Sequence, residues 1–166
     1  MSYVFDSSFL IYFGKLRLLE KISELWGKKY IPETVYSEVV SRGFERGEPE
    51  AAYINELVKR KLFFIGKPKT LLDKIPLLSQ ADMDVLSMAK ETNSIAIIDE
   101  IYGSDAAEEN NIESHGSLYM LFKMIEEKII TRSQAKEILD KLIKCGFYLS
   151  IILYKETLDK IDSMKL

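Results

Sequence analysis

The run Ile95-Ala96-Ile97-Ile98 constrains this chain more than any other stretch. Its residues are all apolar and mostly β-branched, so neither face of the strand they form is suited to water. A strand of that kind is covered on both sides, as central strands of parallel sheets are. It runs straight into Asp99-Glu100, and the start of the chain repeats the pattern, with Tyr3-Val4-Phe5 leading into Asp6. In a parallel sheet every C-terminal strand end lies on one edge, where open α/β folds bind their ligands. Neighbouring strands would therefore bring Asp6 and Asp99 together. The plain alternative for each acid is a polar turn after a strand, where aspartate is common.

Helical patterns separate the strands. Ser7 or Ser8 can cap a short helix through Phe13, ended by Gly14. Leu18, Leu19, Ile22, Leu25 and Trp26 give an amphipathic helix stopping near Gly27. Lys29-Tyr30-Ile31 reads as a strand, and Pro32 opens a helix whose stripe is Val35 and Val39, with Glu38 at its border. After a Gly- and charge-rich loop at 43–49, Pro49 opens a helix to about Lys61, followed by a strand at Leu62–Ile65. Residues 66–78 form an exposed, mobile connection. Further helices are expected from Ser79 to Glu91, over Asp105–Asn110 with Ser104 as cap, from Ser117 to Lys128, from Ser133 to Gly146, and from Ser150 to Met164. Alternating strands and helices make this one three-layer α/β domain over residues 1–166, with a central parallel sheet and a helical C-terminal tail.

Composition narrows the chemistry. The 166 residues carry 30% charged side chains and a net charge of −3, so a protein devoted to neutralising phosphates is disfavoured unless a local basic patch or bound cations supply attraction. A single histidine, His115, excludes His-rich zinc sites and argues against Ser-His-Asp or Cys-His centres. A lone cysteine, Cys145, permits no internal disulfide and fits a reducing, cytoplasmic location. No apolar run approaches the roughly 20 residues of a membrane span, and no signal peptide is expected. Catalysis, if present, rests on carboxylates.

Asp82 has two readings. Ser79-x-x-Asp82 matches a capping box, and a helix starting at the sheet edge would also carry Asp82 toward the other acids. Asp84, about 200° further round the helix, points elsewhere. Glu38 taken alone reads as a solvated mid-helix glutamate. His115 and the scattered Lys67, Lys69 and Lys74 read as exposed surface, with contacts to a substrate the less favoured alternative. Acids gathered in one cleft repel each other unless cations neutralise them, and all-oxygen ligands select Mg²⁺ or Mn²⁺.

The segments Val4-Phe5-Asp6-Ser7-Ser8-Phe9-Leu10-Ile11, Ile31-Pro32-x-x-Val35-x-x-Glu38-Val39, Ser79-x-Ala81-Asp82-x-x-Val85-Leu86-x-x-Ala89 and Ile97-Ile98-Asp99-Glu100 occur in that order. With His115-Gly116-Ser117-Leu118 and Cys145–Ser150, they make the chain resemble the PIN-domain superfamily, and most closely its VapC-like prokaryotic members. The resemblance implies a PIN-like α/β/α fold and a Mg²⁺- or Mn²⁺-dependent endoribonuclease. In such an enzyme Asp6, Glu38, Asp82 and Asp99 would be the metal-holding catalytic acids, and a metal-activated water would hydrolyse RNA phosphodiesters. It further implies a homodimer and, for toxin members, an antitoxin protein that blocks the site. Relatives often carry basic residues after the strand-end acid, whereas Ile101–Asp105 has none. A catalytically degenerate RNA- or protein-binding module is the alternative. A haloacid-dehalogenase-type phosphatase would need a second aspartate where Ser8 stands.

Overall fold

The computed structural model describes residues 1–165. Its centre is a five-stranded, wholly parallel sheet of β1 (Tyr3–Phe5), β2 (Lys29–Pro32), β3 (Phe64–Gly66), β4 (Ile95–Ile97) and β5 (Ser114–His115). The spatial order is β3-β2-β1-β4-β5, so β1 is central and β4 is its neighbour. Phe5 pairs in register with Ile97, which sets the acids following the two strands side by side. Burial explains the order, because every residue of β1 and β4 is buried whereas β3 is only partly covered.

Among the described residues, ten α-helices cover the two faces. They are α1 (Ser7–Lys15), α2 (Leu19–Glu24), α3 (Glu33–Tyr36), α4 (Arg42–Glu45), α5 (Pro49–Lys59), α6 (Gln80–Thr92), α7 (Ile101–Glu109), α8 (Ser117–Glu126), α9 (Arg132–Lys144) and α10 (Ile151–Ser163). Helix α6 packs across β1, β2 and β4, with α3 and α7 beside it. Helices α1, α5, α2, α8, α9 and α10 form a second packed series. A ladder of stacked rings joins sheet to helix, with Phe5 to Phe9 at 4.6 Å and Phe9 to Phe13 at 4.3 Å between centroids. All three rings are fully buried.

Several local expectations need correction. The cap of α1 is Asp6 itself, not Ser7 or Ser8: its carboxylate accepts the Phe9 amide while its own backbone stays extended. Helix α7 begins at Ile101, capped by Glu100 rather than Ser104. Helix α9 is capped by Thr131 in a capping box with Gln134, two residues ahead of Ser133. Strand β5 forms at two polar, half-buried residues that carry no strand pattern of their own. Trp26, placed on the buried face of a helix, is 71% exposed, because α2 ends at Glu24. The connection at 67–78 lacks regular structure but is tied to α6, since Glu91 accepts the Lys69 amide and the Ser87 hydroxyl accepts that of Leu72.

Between α3 and α4 the helix widens into a π-helical stretch, Ser37–Ser41. The extra residue lets Val39 and Val40 both face the core.

Lys29 is buried, and its ammonium group donates to the carbonyls of Ser23, Leu25 and Gly27, with the Ser23 contact at 3.0 Å. Burial lowers its pKa. A Lys29→Met variant keeps the apolar stem but leaves those carbonyls without their donor, so about 2–3 kcal/mol of stability should be lost in urea unfolding.

Candidate carboxylate site at the sheet edge

Asp6 ends the central strand and is only 5% exposed. Its Oδ1 accepts the Phe9 amide at 2.8 Å, and its Oδ2 faces the Asp99 amide at 3.4 Å. Burial, and after it the neighbouring Asp99 charge, push the Asp6 pKa up to about 8 from an ordinary 3.8. The two amide contacts oppose that rise, and the Asp82 charge adds a little to it.

Asp99 follows β4, is exposed, and sits at the start of α8. The Ser117 amide donates to its Oδ1 at 2.7 Å, and the Ser117 hydroxyl donates to its Oδ2. A methyl group on Gly116 would come within 2.9 Å of Asp99 Oδ1, so glycine there permits the approach. The helix N-terminus favours negative charge at this point. Ser117 is fully buried and holds Asp99 in place. Residue types alone hid that role, although His115-Gly116-Ser117 marked the segment.

The other two acids are held by hydroxyls. Glu38 Oε2 accepts the Ser7 hydroxyl at 2.7 Å, from the residue next to Asp6. Asp82 completes the capping box of α6, accepting the Ser79 hydroxyl at 2.7 Å and the Ser79 amide at 3.2 Å. Its charge also bears on Asp6, after that of Asp99. Asp84 faces elsewhere, bonded to Thr34 and Gln80. Among the described residues, no three His, Cys, Asp or Glu side chains come close enough together to hold a metal ion. What stands together is the pair Asp6 and Asp99, with Glu38 bonded to Ser7, the residue after Asp6, and Asp82 within electrostatic reach.

Two cavities flank this edge. One of about 300 Å³ is lined by Glu38, Ser79 and Arg42, a cation that the sequence reading did not single out. The other, about 590 Å³, contains Asp99 and an aromatic wall that includes Tyr12, Tyr119 and Phe147. His115 is engaged on two sides: its ring stacks on Tyr119 at 3.9 Å, and Glu113 sits 3.1 Å from its Nε2. No helix of the described residues is long and apolar enough to cross a membrane.

A family model described as "DUF3368: PIN domain" matches residues 2–163. The chain belongs to the PIN-domain family. A solved PIN relative shares the fold, namely a PilT N-terminus domain protein, SSO1118, from the hyperthermophilic archaeon Sulfolobus solfataricus P2. It aligns with a TM-score of 0.57 and 20% identity over 76% of this chain and 95% of that one. No curated protein matches the chain by sequence. PIN domains are generally nucleases, and the five-stranded parallel sheet with helices on both faces is the three-layer PIN-like arrangement.

Proposed function

We propose that this PIN domain is a Mg²⁺- or Mn²⁺-dependent endoribonuclease. The observation that carries the reading is the buried Asp6 carboxylate, which faces the Asp99 backbone amide at the C-terminal edge of the sheet. A buried carboxylate whose pKa is pushed up to about 8 beside a second carboxylate is a group that a cation would relieve. Hard oxygen donors suit Mg²⁺, which keeps several waters and needs only one or two carboxylates. Asp6 and Asp99 would hold the ion, while Glu38 and Asp82, engaged by Ser7 and Ser79, would act through water.

When bound, the ion supplies activation of water and neutralises charge at the phosphodiester. The chain's own residues orient. Ser117 and the α8 N-terminus fix Asp99, the Phe9 amide fixes Asp6, and Arg42 offers the scissile strand a phosphate partner beside Glu38. The test is cleavage of an unstructured single-stranded RNA in Mn²⁺. Wild type should cut it, and activity no greater than that of an Asp6→Asn control would refute the reading.

One observation favours a second reading, a PIN module that binds RNA or protein without cutting: the described acids do not form a set of three within metal reach. Kinship supports a homodimer and, if this is a toxin, an antitoxin partner. Exposed Tyr148, Ile151 and Ile152 beside the larger cavity provide an apolar surface for such contacts.

A further inference from the structure

The cavity beside Asp99 differs in character from the acid edge that it adjoins. Tyr12, Tyr119, Phe147 and Tyr148 give it aromatic walls, Asp105 gives it a carboxylate, and no lysine or arginine belongs to its lining. Its volume of about 590 Å³ falls within the ~300–1,000 Å³ typical of small-ligand sites. A phosphate group would meet two carboxylates and no cation here. A flat, neutral ring with N–H donors on its edge would meet stacking surfaces and a waiting acceptor. Tyr119 is held in place by its stack on His115. Unlike Glu100, whose carboxylate caps α7, the Asp105 carboxylate is engaged by none of the described residues.

We propose that this cavity reads one unstacked base of single-stranded RNA, with Asp105 selecting guanine. Guanine alone presents two adjacent donors, N1–H and the N2 amine, on its Watson–Crick edge, and a carboxylate accepts both. Uracil presents a single N–H between two carbonyls, which the Asp105 carboxylate repels. A base in a duplex cannot enter, because its edge is paired and its faces are stacked. The proposal rests on the nuclease reading for its choice of ligand, and its test does not depend on cleavage.

The experiment titrates ¹⁵N-labelled protein with the dinucleoside monophosphates GpG and UpU without divalent metal, following amide shifts. Both carry the same charge, so a difference reports the bases. Shifts should concentrate at Gly116–Tyr119 and Phe147–Leu149, with GpG bound about tenfold more tightly, the scale of one good bidentate contact. Asp105→Asn should reduce that preference to about twofold or less, and Tyr119→Leu should weaken both ligands. Equal affinities, shifts elsewhere, or no shifts would overturn the proposal. So would an unchanged preference in Asp105→Asn. A basic amphipathic peptide that perturbs these amides when neither dinucleotide does would reassign the cavity to protein docking. Guanine-selective binding without RNA cleavage would contradict the nuclease reading alone.

Discussion

Asp6→Asn should raise the thermal midpoint of the protein at pH 8 and, on the proposed nuclease reading, abolish RNA cleavage. In the native state Asp6 is buried beside Asp99 and keeps its proton to about pH 8. In the unfolded chain it releases that proton near its ordinary 3.8. Between these values the native state binds more protons than the unfolded state, so stability falls as pH rises through that window and levels off above it. One pKa unit corresponds to about 1.4 kcal/mol, and a rise of this size costs several kcal/mol once Asp6 is ionised. Asparagine keeps the shape and the acceptor for Phe9 without the charge. We expect about 3 kcal/mol of added stability at pH 8, or about 6–12 °C in midpoint, shrinking toward zero near pH 4. Differential scanning calorimetry at the two pH values reads this directly. A midpoint at pH 8 that is unchanged or lower would show that Asp6 is not strained by its burial.

Phe9→Ala should cost about 3–5 kcal/mol in urea unfolding. Phe9 stacks on both Phe5 and Phe13, linking the central strand to α1, and none of the three rings touches solvent. Truncation opens a cavity where β1 meets α1, and the neighbouring large rings cannot shrink to fill it. The same residue supplies the amide that holds Asp6 Oδ1. Alanine keeps that backbone amide, so the Asp6 contact survives the substitution and the effect falls on stability. A loss below about 1 kcal/mol would mean that the ladder repacks around the gap.

The parts of the fold that are plain in the sequence are those whose burial is nearly complete. Tyr3–Phe5 and Ile95–Ile97 are buried at every position, so an unbroken apolar run was their signature, and the parallel edge rule then paired Asp6 with Asp99. Ser114–His115 lacks that signature. It is two polar, half-covered residues made into a strand only by pairing with Ala96 and Ile97. Helix starts were misplaced where two candidate caps stood close together. Asp6 won over Ser7, and Thr131 over Ser133, because the capping residue must be extended while those after it are already helical.

The site divides in the same way. Asp82 carried a readable capping motif, and the box is formed. Glu38 was assigned to a regular helix, whereas it lies in a π-helical stretch that no local pattern announced except the adjacent valines. Ser117 and Gly116 act through a backbone amide and a missing Cβ, neither of which residue type reveals.

Asp6 and Asp99 are proposed to take up a divalent cation together. Calorimetric titration with Mn²⁺ at pH 7, repeated in buffers of different ionisation heat, tests it most directly. Because Asp6 holds its proton at that pH, binding should release about one proton per ion. Asp6→Asn should abolish both the binding and the release, and Asp99→Asn should weaken the binding at least about tenfold. Mn²⁺ binding that is equally tight in wild type and Asp6→Asn, or no binding in either, would contradict the account.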